Sequence, residues 1–425
     1  MIYSRGMREL LLAAFKAGLA AVDPMTLVPS HLPAPPRGRT LIVGGGKAAA
    51  AMASAVEDDW PRAAPLAGLV VTRYQHGLPT RRIEVIEASH PLPDGRGAEA
   101  AKRMLDEVQR LTPDDLLLVL LSGGGSSLLA LPVDGVTLKE LRAVTKALLA
   151  CGAPIQDINT VRKHLTRFSG GQLAALSRAP VKALIISDVV GDDPTHIASG
   201  PCAPDPSSYA DALAVLARYA IIPPTPVSTH LQRGLASVLP DTPKPGDVVF
   251  SGVENLVIGN ARQMLAAAET YLQNRGIGVI NVGEIEGESR EIAGAHAKLI
   301  RDLLEGMPRP FALLSGGETT VRVRNPSGRG GRNTEYLLAL GLALMDLKNL
   351  WGLACDTDGT DGTEDNAGAL WQPDSLARSQ GLQLDAQRAL TNNNAYEFFQ
   401  ALDNLIITGP TRTNVDDFRL ALVTD

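Results

Sequence analysis

The chain has 425 residues, of which 45% are hydrophobic and 20% charged, with a formal net charge of −6. That length exceeds what one core usually sustains and predicts two domains, while the composition excludes a disordered or fibrous chain and the lack of a long basic run argues against nucleic acid as a partner. No uninterrupted apolar run of about 18 residues predicts a membrane span, and three widely spaced cysteines, Cys151, Cys202 and Cys355, suggest a reducing, cytoplasmic setting rather than a disulfide or zinc framework.

A helical pattern over 7–22 carries Arg8, Glu9 and Lys16 and predicts a surface helix. Short apolar runs ending in Gly, Ser or Asp then alternate with helical patterns, the rhythm of βαβ units around a parallel sheet, so the fold class is α/β. Strands are predicted over 40–43, 68–72, 82–86, 116–121 and 181–187, and helices over 48–56, 98–110, 138–150 and 171–177. Prolines 223, 224, 226, 240, 243 and 245 mark a linker over 222–248, dividing a domain over 1–240 from one over 250–425. In the second domain strands are predicted over 256–258, 278–282, 311–314, 352–355, 405–408 and 419–423, with helices over 261–275 and 288–304.

Three kinds of segment offer chemistry. The first is Gly44-Gly45-Gly46-Lys47 after a buried strand, where a turn and a helix start present N–H groups to a phosphate and Lys47 adds a charge. Its spacing is too short for a Walker loop, and Ala48 stands where Ser or Thr is needed. Gly44, Gly46 and Ala49 do satisfy a relaxed dinucleotide fingerprint, although the next strand ends at Arg73-Tyr74 instead of an acid, which disfavours NAD and leaves NADP open. A related echo joins Ser122-Gly123-Gly124-Gly125-Ser126-Ser127 to Ser315-Gly316-Gly317-Glu318-Thr319-Thr320, each following an apolar run and each ready to meet an anion.

The second kind is the strand-end acids Asp188, Asp192 and Asp193, and Asp356, Asp358 and Asp361, placed where open α/β sheets bind ligands and suited to Mg²⁺ or a base; helix caps and Asx turns use the same residues. The third is a loop over 325–335 in which glycines admit a ligand and Arg329 and Arg332 offer forks for carboxylate or phosphate. Ser89-His90-Pro91 and the segment Asn159-Thr160-Val161-Arg162-Lys163-His164 are weaker, since a turn and a capped helix start explain them nearly as well.

In this order, Gly44-Gly45-Gly46-Lys47, Ser89-His90-Pro91, Ser122 to Ser127, Ser187-Asp188-Val189-Val190-Gly191-Asp192, Gly328-Arg329-Gly330-Gly331-Arg332-Asn333 and Asp356-Thr357-Asp358-Gly359-Thr360-Asp361-Gly362 resemble the MOFRL-type glycerate 2-kinase family over nearly the whole chain. The resemblance implies ATP-dependent conversion of D-glycerate to 2-phosphoglycerate. It also implies a Rossmann-like N-terminal domain with a parallel sheet, a smaller C-terminal α/β domain and an active site in the cleft between them, with Lys47 and Arg332 matching the lysine and arginine most often assigned to catalysis.

On this basis Lys47 and Arg332 are expected to neutralise the transferring phosphoryl, Asp188 or Asp192 to orient or deprotonate the glycerate hydroxyl, and Asp356 and Asp358 to hold Mg²⁺. Arg329, Ser122, Gly123, Gly124, Ser126 and His90 are expected at the substrate, and Gly44, Gly45, Gly46, Ser315, Gly316, Gly317, Glu318 and Thr319 at the nucleotide. Two other functions fit less of the pattern: an NADP-dependent hydroxypyruvate reductase, which leaves the acidic clusters unused, and a non-catalytic sensor of sugar acids or nucleotides. The oligomeric state is not legible, and a homo-oligomer is compatible.

Overall fold

The computed structural model describes residues 2–425, with side chains from Gly6 onward. The chain folds as two compact units, residues 24–258 and residues 1–23 with 259–425.

The first unit is built on six strands: β1 (Thr40–Gly45), β2 (Leu66–Arg73), β3 (Ile83–Ala88), β4 (Leu116–Leu121), β5 (Val181–Ile186) and β6 (Val253–Gly259). Their order is β3-β2-β1-β4-β5-β6, and the pairs β1/β2, β1/β4, β2/β3 and β4/β5 are parallel. Every residue of β1 and β4 is buried, as expected of central parallel strands covered on both faces, and this is why both read as unbroken apolar runs. The helix Gly95–Val108 begins at Asp94, whose carboxylate accepts from Gly97 N, and buries Ala100, Ala101, Met104, Leu105 and Val108 against the sheet. This is the doubly wound order in which the chain reverses direction between β1 and β4, and ligands bind at the carboxyl ends of the strands flanking that switch point.

The proline-rich stretch is not a linker. Residues Thr225–Leu235 form a helix that buries Val227 and Leu231, and β6 still belongs to the first sheet, so the division falls at 258/259. Proline in the first turn of a helix lacks only an N–H that would have no helical partner, so Pro226 starts this helix instead of breaking one.

The second unit has β7 (Gly278–Glu284), β8 (Gly287–Glu288), β9 (Phe311–Gly316), β10 (Thr319–Thr320), β11 (Leu350–Asp356), β12 (Gly368–Trp371), β13 (Leu405–Ile406) and β14 (Asp417–Val423). Its main sheet runs β13-β12-β11-β14-β9-β7 and is mixed: β7 and β9 are parallel, whereas β14 is antiparallel to both β9 and β11. The amino end of β14 therefore lies beside the carboxyl ends of β9 and β11, with Asp417 opposite Asp356 and Arg419 opposite Ser315.

The N-terminal helix Ile2–Ala21 belongs to this second unit and is not a free surface helix. Phe15 packs on Phe418 with ring centroids 5.3 Å apart, and Gly18 lies so close to Met264 that an added Cβ would sit 2.9 Å from its Cγ. By length and composition alone Gly6–Leu27 could cross a bilayer; here Leu11, Ala14 and Phe15 are buried in the fold.

His296, on the helix Ser289–Leu304, is 3% exposed and shares a 2.8 Å hydrogen bond between Nδ1 and the Tyr336 hydroxyl. Burial, helped by the nearby Arg419 charge, pushes its pKa down to about 4. As pH falls through about 6.5 the unfolded chain takes up this proton and the folded chain does not, so stability drops until pH reaches about 4. Urea unfolding at pH 7 and pH 4.5 should show the wild type losing about 2–3 kcal/mol more than His296→Gln. Equal losses would show that His296 does not titrate this way.

Candidate active site

At the switch point of the first unit, β1 and β4 are locked together through their turns. Gly44 and Gly46 adopt φ of 151° and 143°, and side chains there would strike the Leu120 carbonyl oxygen at 2.0 Å and the Ser122 Oγ at 2.1 Å. Only glycine permits this approach. The N–H of Gly46 donates to the Val71 carbonyl at 3.0 Å, that of Lys47 to the Gly123 carbonyl at 2.9 Å, and that of Ala48 to Ser122 Oγ at 3.0 Å.

The expectation that this glycine turn cradles a phosphate with its amides therefore fails at these three positions, because neighbouring strands have already captured the donors. Gly44, Gly45 and Gly46 act as spacers that bring Lys47 to the β4 turn. Gly124, at φ 83°, caps the short helix Gly125–Leu128, and an added Cβ there would lie 2.9 Å from His90 Cδ2 and 3.6 Å from Lys47 Cγ. Lys47, His90 and the Gly123-Gly124 turn thus converge at the carboxyl ends of β1, β3 and β4.

Ser122 is buried as the acceptor for Ala48, whereas Ser126 Oγ lies 2.7 Å from Ser199 Oγ. Asp188 and Asp192 follow β5, beside the β4 turn in strand order. Asp192 sits in left-handed backbone at φ 58°, where its N–H donates to the Val189 carbonyl at 3.0 Å.

In the second unit the β9 turn repeats the glycine geometry: Gly317 has φ 84°, matching Gly124, but the chain continues into β10 instead of a helix. Asp417, fully buried, gathers this region. It accepts from Arg332 Nε at 2.8 Å, Asn333 Nδ2 at 2.7 Å, Arg419 Nη1 at 3.0 Å, and the N–H and hydroxyl of Thr319 at 3.3 Å. Arg419, also fully buried, donates to Ser315 Oγ and to the carbonyls of Gly316 and Gly317. Ser315, Gly316, Gly317 and Thr319, expected at the nucleotide, are in these bonds partners of Arg419 and Asp417.

Arg332 opens the helix Arg332–Ala343 and spreads its fork over three acids, with Nη2 donating to Asp356 at 2.9 Å and Nη1 to Glu318. Burial works against its charge, yet Asp417, Asp356, Glu318 and Asp416 outweigh that and hold its pKa above the ordinary arginine value. Glu318, expected at the nucleotide, is in this structure the partner of Arg332 Nη1. The helix itself is capped by Asp361, which accepts from the N–H groups of Asn333 and Thr334 at 2.9 Å and whose carboxyl burial pushes up to about 6.

Arg329 is committed elsewhere. Its Nε and Nη2 donate to one oxygen of Glu364, and its guanidinium stacks 4.4 Å from the Tyr396 ring centre. This fastens the loop, together with Asn393 and Asn394, which accept from the N–H groups of Arg324 and Arg329. Arg329 is thus not presented as a reader of the substrate carboxylate.

Asp356 Oδ1 accepts from Asp358 N at 2.9 Å, and Asp358 Oδ1 from Thr360 N at 2.7 Å, the local turn bonds that Asp residues commonly make. Among the described residues no three His, Cys, Asp or Glu side chains form a ready metal cage. Two neighbouring carboxylates nevertheless suit Mg²⁺, which characteristically binds one or two protein carboxylates and completes its shell with phosphate and water.

Comparison with known proteins places the chain in a family. A model described as a domain of unknown function matches residues 10–232, and the MOFRL family model matches residues 311–417. The D-glycerate 2-kinase of Thermotoga maritima is 37% identical over 429 residues, covering 100% of both chains. The chain belongs to the MOFRL-type glycerate 2-kinase family. The crystal structure of the Thermotoga maritima glycerate kinase matches this fold with a TM-score of 0.85 at 36% identity, covering 99% of this chain and 100% of that one. Within this family, a protein of Agrobacterium vitis that is 46% identical, over 98% of this chain and 94% of its own, carries the provisional name hydroxypyruvate reductase.

Proposed function

We propose that this chain transfers the γ-phosphoryl of ATP to the 2-hydroxyl of D-glycerate, giving 2-phospho-D-glycerate and ADP. The observation that favours this over hydride transfer is the capture of the Gly46, Lys47 and Ala48 amides by Val71, Gly123 and Ser122. A dinucleotide site at that turn would need those N–H groups for its pyrophosphate, whereas phosphoryl transfer needs mainly positioning and neutralisation of charge by side chains. Lys47 supplies a cation at the switch point of the first unit, and Arg332 is the cationic candidate of the second unit.

Asp188 or Asp192 orients the 2-hydroxyl or accepts its proton, with His90 and the Gly123-Gly124 turn against the substrate. Asp356 and Asp358 would hold Mg²⁺, which when bound neutralises phosphate charge. A cytoplasmic setting, where ATP is plentiful, suits this chemistry.

Two parallel assays test the reading: ADP release with D-glycerate, ATP and Mg²⁺, and NADPH oxidation with hydroxypyruvate. ADP release that depends on glycerate, with no NADPH oxidation, is expected. The reverse pair would hand the chain to the reductase, and silence in both would point to a sensor.

A further inference from the structure

With Arg329 taken by Glu364, the kinase reading leaves the acceptor's carboxylate without a cationic partner. Arg162 meets that need. It lies in the last turn of the helix Ile155–Lys163, whose Ile158 and Val161 are anchored in an apolar cluster with Leu141, Leu216 and Leu231. Its neighbour Lys163 is paired with the buried Asp205 at 3.3 Å, but no carboxylate pairs with Arg162 among the described residues. Its Nη1 donates to Asn159 Oδ1 at 3.1 Å, leaving most of a five-donor fork for other partners. Desolvation with nothing to oppose it pulls its pKa down to about 10, and the guanidinium remains cationic at neutral pH. A partly buried cation held without a counter-charge is costly unless an anion arrives.

Arg162 is also wired to the site already described. Asn159 Oδ1 accepts from Ser199 Oγ at 2.8 Å, and Asn159 Nδ2 donates to the His196 carbonyl at 3.2 Å. With its own proton spent on Asn159, Ser199 can only accept in its 2.7 Å contact with Ser126, which must donate. Ala198, Ser199 and Gly200 have φ of 50°, 60° and 61°, a left-handed run that non-glycine residues adopt at a cost and that presents the Ser199 hydroxyl to both partners. The chain Ser126, Ser199, Asn159, Arg162 therefore leads from the glycine turn beside Lys47 and His90 to an uncommitted fork.

We propose that Arg162 binds the carboxylate of the acceptor acid through its guanidinium fork, with Asn159 as the positioning residue that aims it. This rests on the kinase reading and deepens it by naming the group that makes the enzyme select an acid over a neutral polyol. Steady-state kinetics of wild type, Arg162→Met and Arg162→Lys, with D-glycerate and with glycerol as acceptors, test it. Arg162→Met should raise the KM for D-glycerate roughly 10–100-fold, shift the KM for ATP by less than about twofold, and lower the preference for D-glycerate over glycerol by the same factor as the first change. Arg162→Lys should recover part of both losses, and it carries the test if the methionine variant fails to fold.

An unchanged glycerate KM and preference in a folded variant would overturn the proposal. Calorimetric titration with D-glycerate alone separates the two readings. Binding by the wild type that Arg162→Met abolishes would uphold the assignment even if no phosphorylation occurred. No binding by a wild type that does not phosphorylate either would overturn both.

Discussion

Exchanging Lys47 for methionine is expected to lower kcat for D-glycerate phosphorylation on the order of 10²–10³-fold, the usual cost of removing one group aimed at transition-state charge. The fold should survive, because two of the contacts that seat this residue use its backbone and methionine keeps both: its N–H donates to Gly123 and its carbonyl accepts from the Thr72 hydroxyl at 3.4 Å. Melting temperatures within about 3 °C of each other would confirm an intact fold, since about 1 kcal/mol moves a domain of this size by a few degrees. Arg in place of Lys47 keeps the charge but on a broader, planar group, so activity should fall between the two. A folded Lys47→Met enzyme with wild-type kcat would remove Lys47 from the reaction.

Arg332→Met should damage both activity and stability. The partners Asp417 and Asp356 are 0% and 6% exposed, so losing the guanidinium leaves carboxylates in a place where they cannot be hydrated, which typically costs about 3–5 kcal/mol when one partner of a buried pair is removed. Arg419 still pairs with Asp417, which places the expected loss near the lower figure, about 3 kcal/mol, in a urea titration. Loss of turnover in this variant alone would thus be ambiguous, and Glu318 resolves it. Glu318 is 53% exposed and holds only the Nη1 arm, the one arm that can exchange a carboxylate for a phosphate. Glu318→Gln should leave the two buried pairs intact and lower the KM for ATP a few-fold, by removing a competitor. If Glu318→Gln instead raises the KM for ATP, Arg332 serves the fold and not the nucleotide.

The first sheet was readable because central parallel strands are buried on both faces and end abruptly in Gly or Asp, so the runs at 40–43 and 116–121 announce themselves. Strand direction leaves no comparable mark on side-chain periodicity. A parallel sheet places ligand-binding residues only at carboxyl ends, and on that assumption Asp417 and Arg419, at the amino end of β14, have no reason to attract notice; the antiparallel pairing with β9 and β11 brings them to the same edge as Asp356 and Ser315. The acids of the Asp356-to-Gly362 segment were visible, but not the choice among them, in which Asp361 caps a helix and Asp356 faces Arg332.

Other misses share one cause, a partner distant in sequence. Glycine-turn amides look open to phosphate until Val71, Gly123 and Ser122 are seen to hold them. Arg329 looks available until Glu364 folds back onto it, and Arg162, passed over as part of a capped helix start, stands out only once its neighbour Lys163 is seen to pair with Asp205 while, among the described residues, no carboxylate pairs with Arg162. Prolines 223, 224 and 226 read as a linker because Pro breaks a helix interior; the same residues serve equally well to begin one.

The most direct test of the central claim is the position of the phosphate on the product. Purified protein incubated with D-glycerate, ATP and Mg²⁺ and followed by phosphorus NMR should give a resonance whose proton coupling places the phosphate on carbon 2. Phosphate on carbon 3, or no phosphorylated glycerate at all, would contradict the assignment.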